Sequence, residues 1–491
     1  MGFRDFNKYY ITYPDPKNEL ELAINAHARE DQMHSALLLR DWVSLGLDAR
    51  FSWAPRDLYW WLTCEQTAGA RRVDFELVSM VYHNPDPLLR FAIVESMEAA
   101  GTVFFTRTVP VVERLGPDEA FPYFGKYHLA RETGHLQNGD ERPFRRAELS
   151  PAQREKAKAL VTRVFEIFQY HFTSWAKFAR AIYEKTFWYD AQVQGRASAV
   201  LRQERPRDPS AVMALDYPSR PTEEGHLLKV LRQRAFDDLW QTPAYQWMRE
   251  VWPGDFRRMT RYFLLQWIVD NWACADYFRF DTTYIDAKSP VERGLNRLST
   301  LFESEMKCRY VEWEALQMDE YTRWSAVEAL RHFWLDERVE EHRAVFADLR
   351  KLTFRYPEPL YRYWIMKCFI RFGDAMIHSL GAAMRRSGEK EETFVMFAGK
   401  PERMHPDLPP DPEADEAIAN LERQPLTPEE IRTIQDIIAA THQQEASRSA
   451  ITWKIICEKR YEVFDRRWAQ RSGVARPLDG TLSGALEFLR L

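Results

Sequence analysis

Apolar and polar positions along this chain repeat at three- and four-residue intervals, which is the spacing of amphipathic helices. The pattern runs first from Glu19 to the Gly46-Leu47-Asp48 turn, and predicts one long helix over 19–46. A helix is predicted next from Leu88, just after the Asn84-Pro85-Asp86-Pro87 turn, to Leu115, where Gly116-Pro117 stops it. Another follows from Pro117 to Asn138, and a longer one from Pro151 to Lys185 that carries an aromatic stripe including Phe165, Phe168, Phe172 and Trp175. The second half is again helical in pattern, over Met259–Tyr277, Pro290–Met318, Asp319–Trp334, Glu340–Phe354 and Pro357–Arg385. A last helix starts at the N-cap and proline of Thr427-Pro428-Glu429-Glu430 and runs to about Gln470. The expected fold is all-α.

Two proline-rich stretches divide this pattern. One, within 201–224, contains Pro206, Pro209, Pro218 and Pro221; the other, within 397–426, contains Pro401, Pro406, Pro409, Pro410 and Pro412. They predict a first helical domain over 1–200, a second over 225–396 and a helical tail over 427–491. With 491 residues the chain is long enough for domains with separate cores. The formal charge of -5, with no long run of one sign, gives neither a nucleic-acid footprint nor a polybasic membrane patch. No apolar run is of membrane-spanning length, and Met1 to Asn18 does not read as a signal segment. Five cysteines, far apart and without a CxxC, suit a reducing compartment, so a cytoplasmic protein is expected.

The candidate chemistry lies in the first domain. On the segment from Tyr123 to His135, His128, Glu132 and His135 fall at i, i+4 and i+7, one face of a helix. Upstream, His34 has Asp31 at i−3 and Glu30 at i−4, so either carboxylate pairs with it on one face. Between these two stretches, Glu95 and Glu98 stand in the small and apolar run Phe91 to Gly101, where a buried carboxylate is costly unless a cation meets it. Carboxylates with about three histidines on the helices of a bundle suit two iron ions, or manganese, with carboxylates shared between them. The competing reading is a set of solvated helix faces whose His/Glu pairs add tenths of a kcal/mol. The order of the groups within residues 30–135 favours the metal. The second half offers no such set; His332, His342 and His378 stand alone.

The sequence Glu98-Ala99-Ala100-Gly101, the Leu115-Gly116 helix end, Tyr123-Phe124 and His128-xxx-Glu132-xx-His135, preceded by Asp31-xx-His34, resembles the haem-oxygenase-like diiron oxidases and oxygenases. The resemblance covers about residues 19–190 and implies a seven-helix bundle, followed here by a second bundle that reads as a degenerate copy. Glu132 stands where that family usually has Asp, and Asp31 where it usually has Glu. A further upstream glutamate found in some members has no counterpart, and His27, one heptad before His34, is a candidate for its place, as is a residue of the second half. The resemblance implies two Fe(II) ions that activate O2 for N-oxygenation, hydroxylation, desaturation or oxidative C–C cleavage of a small molecule. An external electron donor and a homo-oligomer are compatible with it; nucleic acid and membrane are not expected partners. The aromatic residues Trp53, Tyr59, Trp60 and Trp61 read as core or as the lining of the cavity. Two other readings are a ferritin-like diiron protein of the arylamine N-oxygenase kind and a non-catalytic helical scaffold.

Overall fold

The computed structural model describes residues 2–47, 68–134, 142–184, 287–307, 340–390 and 410–457, with short pieces near 256–264, 284, 315–318 and 393–394. The described chain is helical and contains no strand, as the periodicity predicts. It divides into two compact units, residues 1–194 with 325–347, and residues 195–324 with 348–491. The expected linker at 203–224, the aromatic stretch 53–61, the helix Asp319–Trp334 and most of Met259–Tyr277 lie outside the described residues. No helix among the described residues is long and apolar enough to cross a membrane.

The first unit opens with a helical turn, Gly2–Asp5, that runs into a π-helical segment, Phe6–Tyr10. Then come α1 (Glu19–Asp31), α2 (His34–Ser44), α3 (Ala68–His83), α4 (Pro87–Val112), α5 (Lys126–Gly134) and α6 (Pro151–Tyr183). The sequence explains the starts of α1 and α4. Asn18 caps α1 by accepting the Glu21 amide at 3.0 Å, and Asp86 caps α4 by accepting the Leu88 amide at 2.9 Å, with Pro87 in the first turn.

The expected single helix over 19–46 is two. Gln32 and Met33 interrupt it, held by amide hydrogen bonds from Gln32 to the Ala28 carbonyl and from Met33 to the Glu30 carbonyl. Both residues keep right-handed helical dihedrals, so the chain tightens without reversing, and Asp31 and His34 flank the tightened turn. The helix expected over Pro117–Asn138 is also shorter at its start. Residues Asp118–Ala120 form a 3₁₀ turn, and α5 begins only at Lys126.

Helix α4 is the centre of the first unit. It is apolar on most of its circumference, as a helix surrounded by neighbours must be, and it packs against α1, α3, α5 and α6. Ile93, Val94, Met97 and Phe105 of α4 are buried, as are Val164 and Ile167 of α6. The aromatic stripe of α6 serves as packing surface: Phe172 stacks on Phe104 of α4 at 5.3 Å. Arg90, also on α4, is buried and ties the N-terminal segment down, donating to the Ile11 carbonyl at 2.7 Å and covering the Tyr13 ring at 4.3 Å.

The second unit contains α7 (Pro290–Lys307), the C-terminal half of α8 (Glu340–Arg355), α9 (Pro359–Arg386), α10 (Pro412–Arg423) and α11 (Pro428–Cys457). Trp364, Ile365 and Met366 of α9 and Ile434 and Ile437 of α11 are buried there. Cys368 is buried on α9, and burial pushes its thiol up to about 12, leaving it in the inert protonated form.

Helices α7 and α10 approach closely at Gly294, where a Cβ would lie 2.6 Å from Ile418 Cγ1 and 2.7 Å from the Ala414 carbonyl oxygen. The carbonyl belongs to a helix backbone and has no rotamer by which to move aside. Gly294→Ala is therefore expected to destabilise the second unit by about 1–3 kcal/mol, as overpacking does, read as a lower urea midpoint.

Candidate metal centre

Four helices of the first unit deliver six ionisable side chains to one buried region. Helix α1 supplies His27 and Asp31, α2 supplies His34, α4 supplies Glu98, and α5 supplies His128 and Glu132. They fall into two groups, His34 with His128 and Glu132, and His27 with Asp31 and Glu98. Within each group the donor atoms all lie within 4.8 Å of one another.

In the first group His128 Nε2 is 2.7 Å from Glu132 Oε1 and 3.2 Å from His34 Nδ1. In the second, His27 Nε2 is 3.2 Å from Asp31 Oδ2 and 3.4 Å from Glu98 Oε1. The groups adjoin: Asp31 Oδ1 is 3.9 Å from His34 Nδ1, and the Glu98 and Glu132 carboxyls interact directly. Asp31, His34, Glu98, His128 and Glu132 are all buried; His27 is partly exposed.

The tautomer of His128 follows from its surroundings. Its Nδ1 is 2.9 Å from the Tyr123 carbonyl oxygen, which can only accept, so Nδ1 carries the hydrogen and the Nε2 lone pair faces Glu132 and His34. A metal-binding imidazole is commonly held in this way. Burial lowers the His128 pKa and keeps the ring neutral.

The carboxyls respond to burial in the opposite direction. Burial, reinforced by the neighbouring Glu132 and opposed by His27, raises Glu98 to about 7. Burial also raises Glu132. At His27 burial opposes the charge, but Asp31 and Glu98 outweigh it and raise the imidazole to about 11. Without a metal, then, protons on His27 and Glu98 hold the second group together. Asp31 Oδ1 still accepts no hydrogen bond among the described residues. A buried acceptor left in that state costs about 1–3 kcal/mol. A cation between the groups would satisfy it, so the donor set fits a metal.

The structure places the members of the two open pairs differently. Asp31 lies on the buried stripe of α1 with Ile24 and Ala28, whereas Glu30 is turned outward and pairs with Arg131 of α5 at 3.4 Å. Glu98 joins the donor groups, and Glu95, half-buried on the same helix, belongs to neither. His135 lies outside the described residues. His27 falls in the second group, in hydrogen-bonding range of two carboxylates.

Two further residues shape this region, Gly101, which closes the Glu98-Ala99-Ala100-Gly101 motif, and Asp41, which belongs to no motif of the sequence. A Cβ on Gly101 would lie 3.2 Å from Glu132 Oε2, so the bare backbone one turn beyond Glu98 makes room for the carboxylate of α5. Asp41, on α2, is fully buried and bonded to the turn that precedes α5. Comparison of the chain with protein-family models and with curated proteins finds no match.

Proposed function

We propose that the first unit holds two metal ions, iron or manganese, and uses them to activate O2 for oxidation of a small organic molecule. The single observation that carries this reading is the pair of adjoining donor groups, three imidazoles and three carboxylates brought to one buried region by four helices. A donor set of nitrogen and oxygen with no thiolate suits iron or manganese. We read the unit as a bundle of the haem-oxygenase-like diiron kind, with His34, His128 and Glu132 at one ion and His27, Asp31 and Glu98 at the other.

Bound iron would supply the electrons that reduce O2 and the positions at which it binds. The chain's own part is different. The Tyr123 carbonyl keeps the His128 Nε2 lone pair directed inward, and the apolar side chains of α4 around Glu98 keep bulk water from the region. Glu98, placed between His27 and Glu132 and raised to about 7 in the metal-free chain, would give up its proton near neutral pH as an ion enters. An ion held by three protein donors would have places left for O2 and substrate. The reaction class is N-oxygenation, hydroxylation, desaturation or oxidative C–C cleavage, with electrons from an external donor; a reducing cytoplasm would keep the iron ferrous.

The test is anaerobic Fe(II) titration of the full chain with metal counted per chain, followed by an O2 pulse monitored by stopped-flow absorbance. About two irons per chain and a transient visible band are expected. A chain that takes up no iron would sink the reading. Metal uptake is also expected to release protons, because those on His27 and Glu98 must leave before the donors can bind. The apparent affinity should therefore increase as pH is raised from about 6 to about 8, and a weakly buffered titration with an indicator dye measures the release.

A further inference from the structure

Asp41 lies on α2 two turns beyond His34, on the same side of the helix. It is fully buried, and its two oxygens are both used: Oδ1 accepts the Tyr123 amide at 3.0 Å and Oδ2 the Phe124 amide at 2.8 Å. The turn it grips is held at two further points. Thr108 Oγ1, on α4, donates to the Phe124 carbonyl at 3.1 Å. At Gly125 a Cβ would lie 2.4 Å from the Phe121 carbonyl oxygen, so no other residue fits the path of the chain. This same turn presents the Tyr123 carbonyl to His128 Nδ1.

The contacts form one line, from the helix that carries His34, through the Asp41 carboxylate and the Tyr123 peptide, to the ring of His128. We propose that Asp41 is the positioning residue for His128: it fixes the peptide whose carbonyl sets the tautomer and direction of that imidazole. The role in metal binding rests on the reading of the site given above; the role in setting the ring does not. Helix α2 thereby supplies one histidine of the first group directly and governs the other at a distance. A carboxylate suits this task because both its oxygens accept, whereas a carboxamide offers one acceptor and turns an NH2 toward the second amide.

The experiment uses the full chain labelled with 15N-histidine, first without metal. In the wild type the His128 ring, assigned by its loss in His128→Gln, is expected as the tautomer protonated at Nδ1. Asp41→Asn is expected to give a mixture of tautomers, while Tyr123→Phe, which keeps every backbone contact, leaves the ring as in the wild type. Anaerobic Co(II) titration of Asp41→Asn should then show one position weakened by about 10–100-fold and the other unchanged, with total capacity preserved. A wild-type tautomer in Asp41→Asn overturns the proposal even if the chain binds two ions. A changed tautomer in a chain that binds no metal would sustain the positioning role and overturn the metal reading instead. If Asp41→Asn does not fold, Asp41→Ser, which offers one shorter oxygen in place of two and cannot hold both amides, carries the same expectation for the ring, and a wild-type ring there overturns the proposal.

Discussion

His128→Ala is expected to weaken one metal position by on the order of 100-fold or more and to leave the other within a few-fold of the wild type. His128 Nε2 meets Glu132 and His34, and it takes no part in the group formed by His27, Asp31 and Glu98. His27→Ala should give the converse, weakening the second position and sparing the first. Anaerobic Co(II) titrations of the two variants, each resolved into its binding steps, check this. Loss of all binding in both variants would mean that one ion spans the six donors. No loss in either would mean that these side chains do not bind the metal. The His128 substitution also leaves the Tyr123 carbonyl without its donor, at a cost of about 1 kcal/mol in the metal-free protein.

The opposite direction is expected for stability at Glu98. Burial raises this carboxyl to about 7, above the ordinary value of 4.5, with Glu132 adding to the shift and His27 opposing it. An acid whose pKa rises on folding favours the folded state while it is protonated. That contribution is complete below the unfolded pKa and is lost as pH rises through the folded one. The metal-free wild type should therefore lose about 3 kcal/mol from this group between about pH 4.5 and 8. Glu98→Gln mimics the protonated form and cannot ionise. In the absence of metal it should match the wild type near pH 4.5 and exceed its stability by about 3 kcal/mol near pH 8. Urea unfolding of both proteins with chelator present measures the difference. A variant that is more stable but binds less metal is what a functional carboxylate buried for its chemistry would give; one less stable at both pH values would show that Glu98 is there for structure.

The pairing of His128 with Glu132 was legible in the sequence because a four-residue step keeps two side chains on one face, whatever the rest of the fold does. The burial of Asp31 and the outward placing of Glu30 were legible in principle. Ile24, Ala28 and Asp31 share one apolar stripe, and Glu30 lies about a quarter-turn away, where it meets Arg131. Glu98 and Glu95 could not be separated in this manner, since α4 is apolar nearly all round and offers no polar face to discard. The interruption at Gln32 and Met33 had no glycine or proline to announce it. Local propensity there favours continuing the helix, and the break falls where Asp31 and His34 turn inward. Asp41 was hidden for another reason. Its partners are main-chain amides 82 and 83 residues away, and backbone groups leave no mark in a residue pattern.

The two imidazoles that meet in the first group, His34 and His128, lie 94 residues apart in the chain. Ions held between them would act as a removable cross-link over that loop of chain, comparable in topology to a disulfide but governed by supply and acidity in place of redox potential. Lifetime against a protease would then serve as a gauge of metal loading, long in the charged protein and short once a chelator has drawn the ions out.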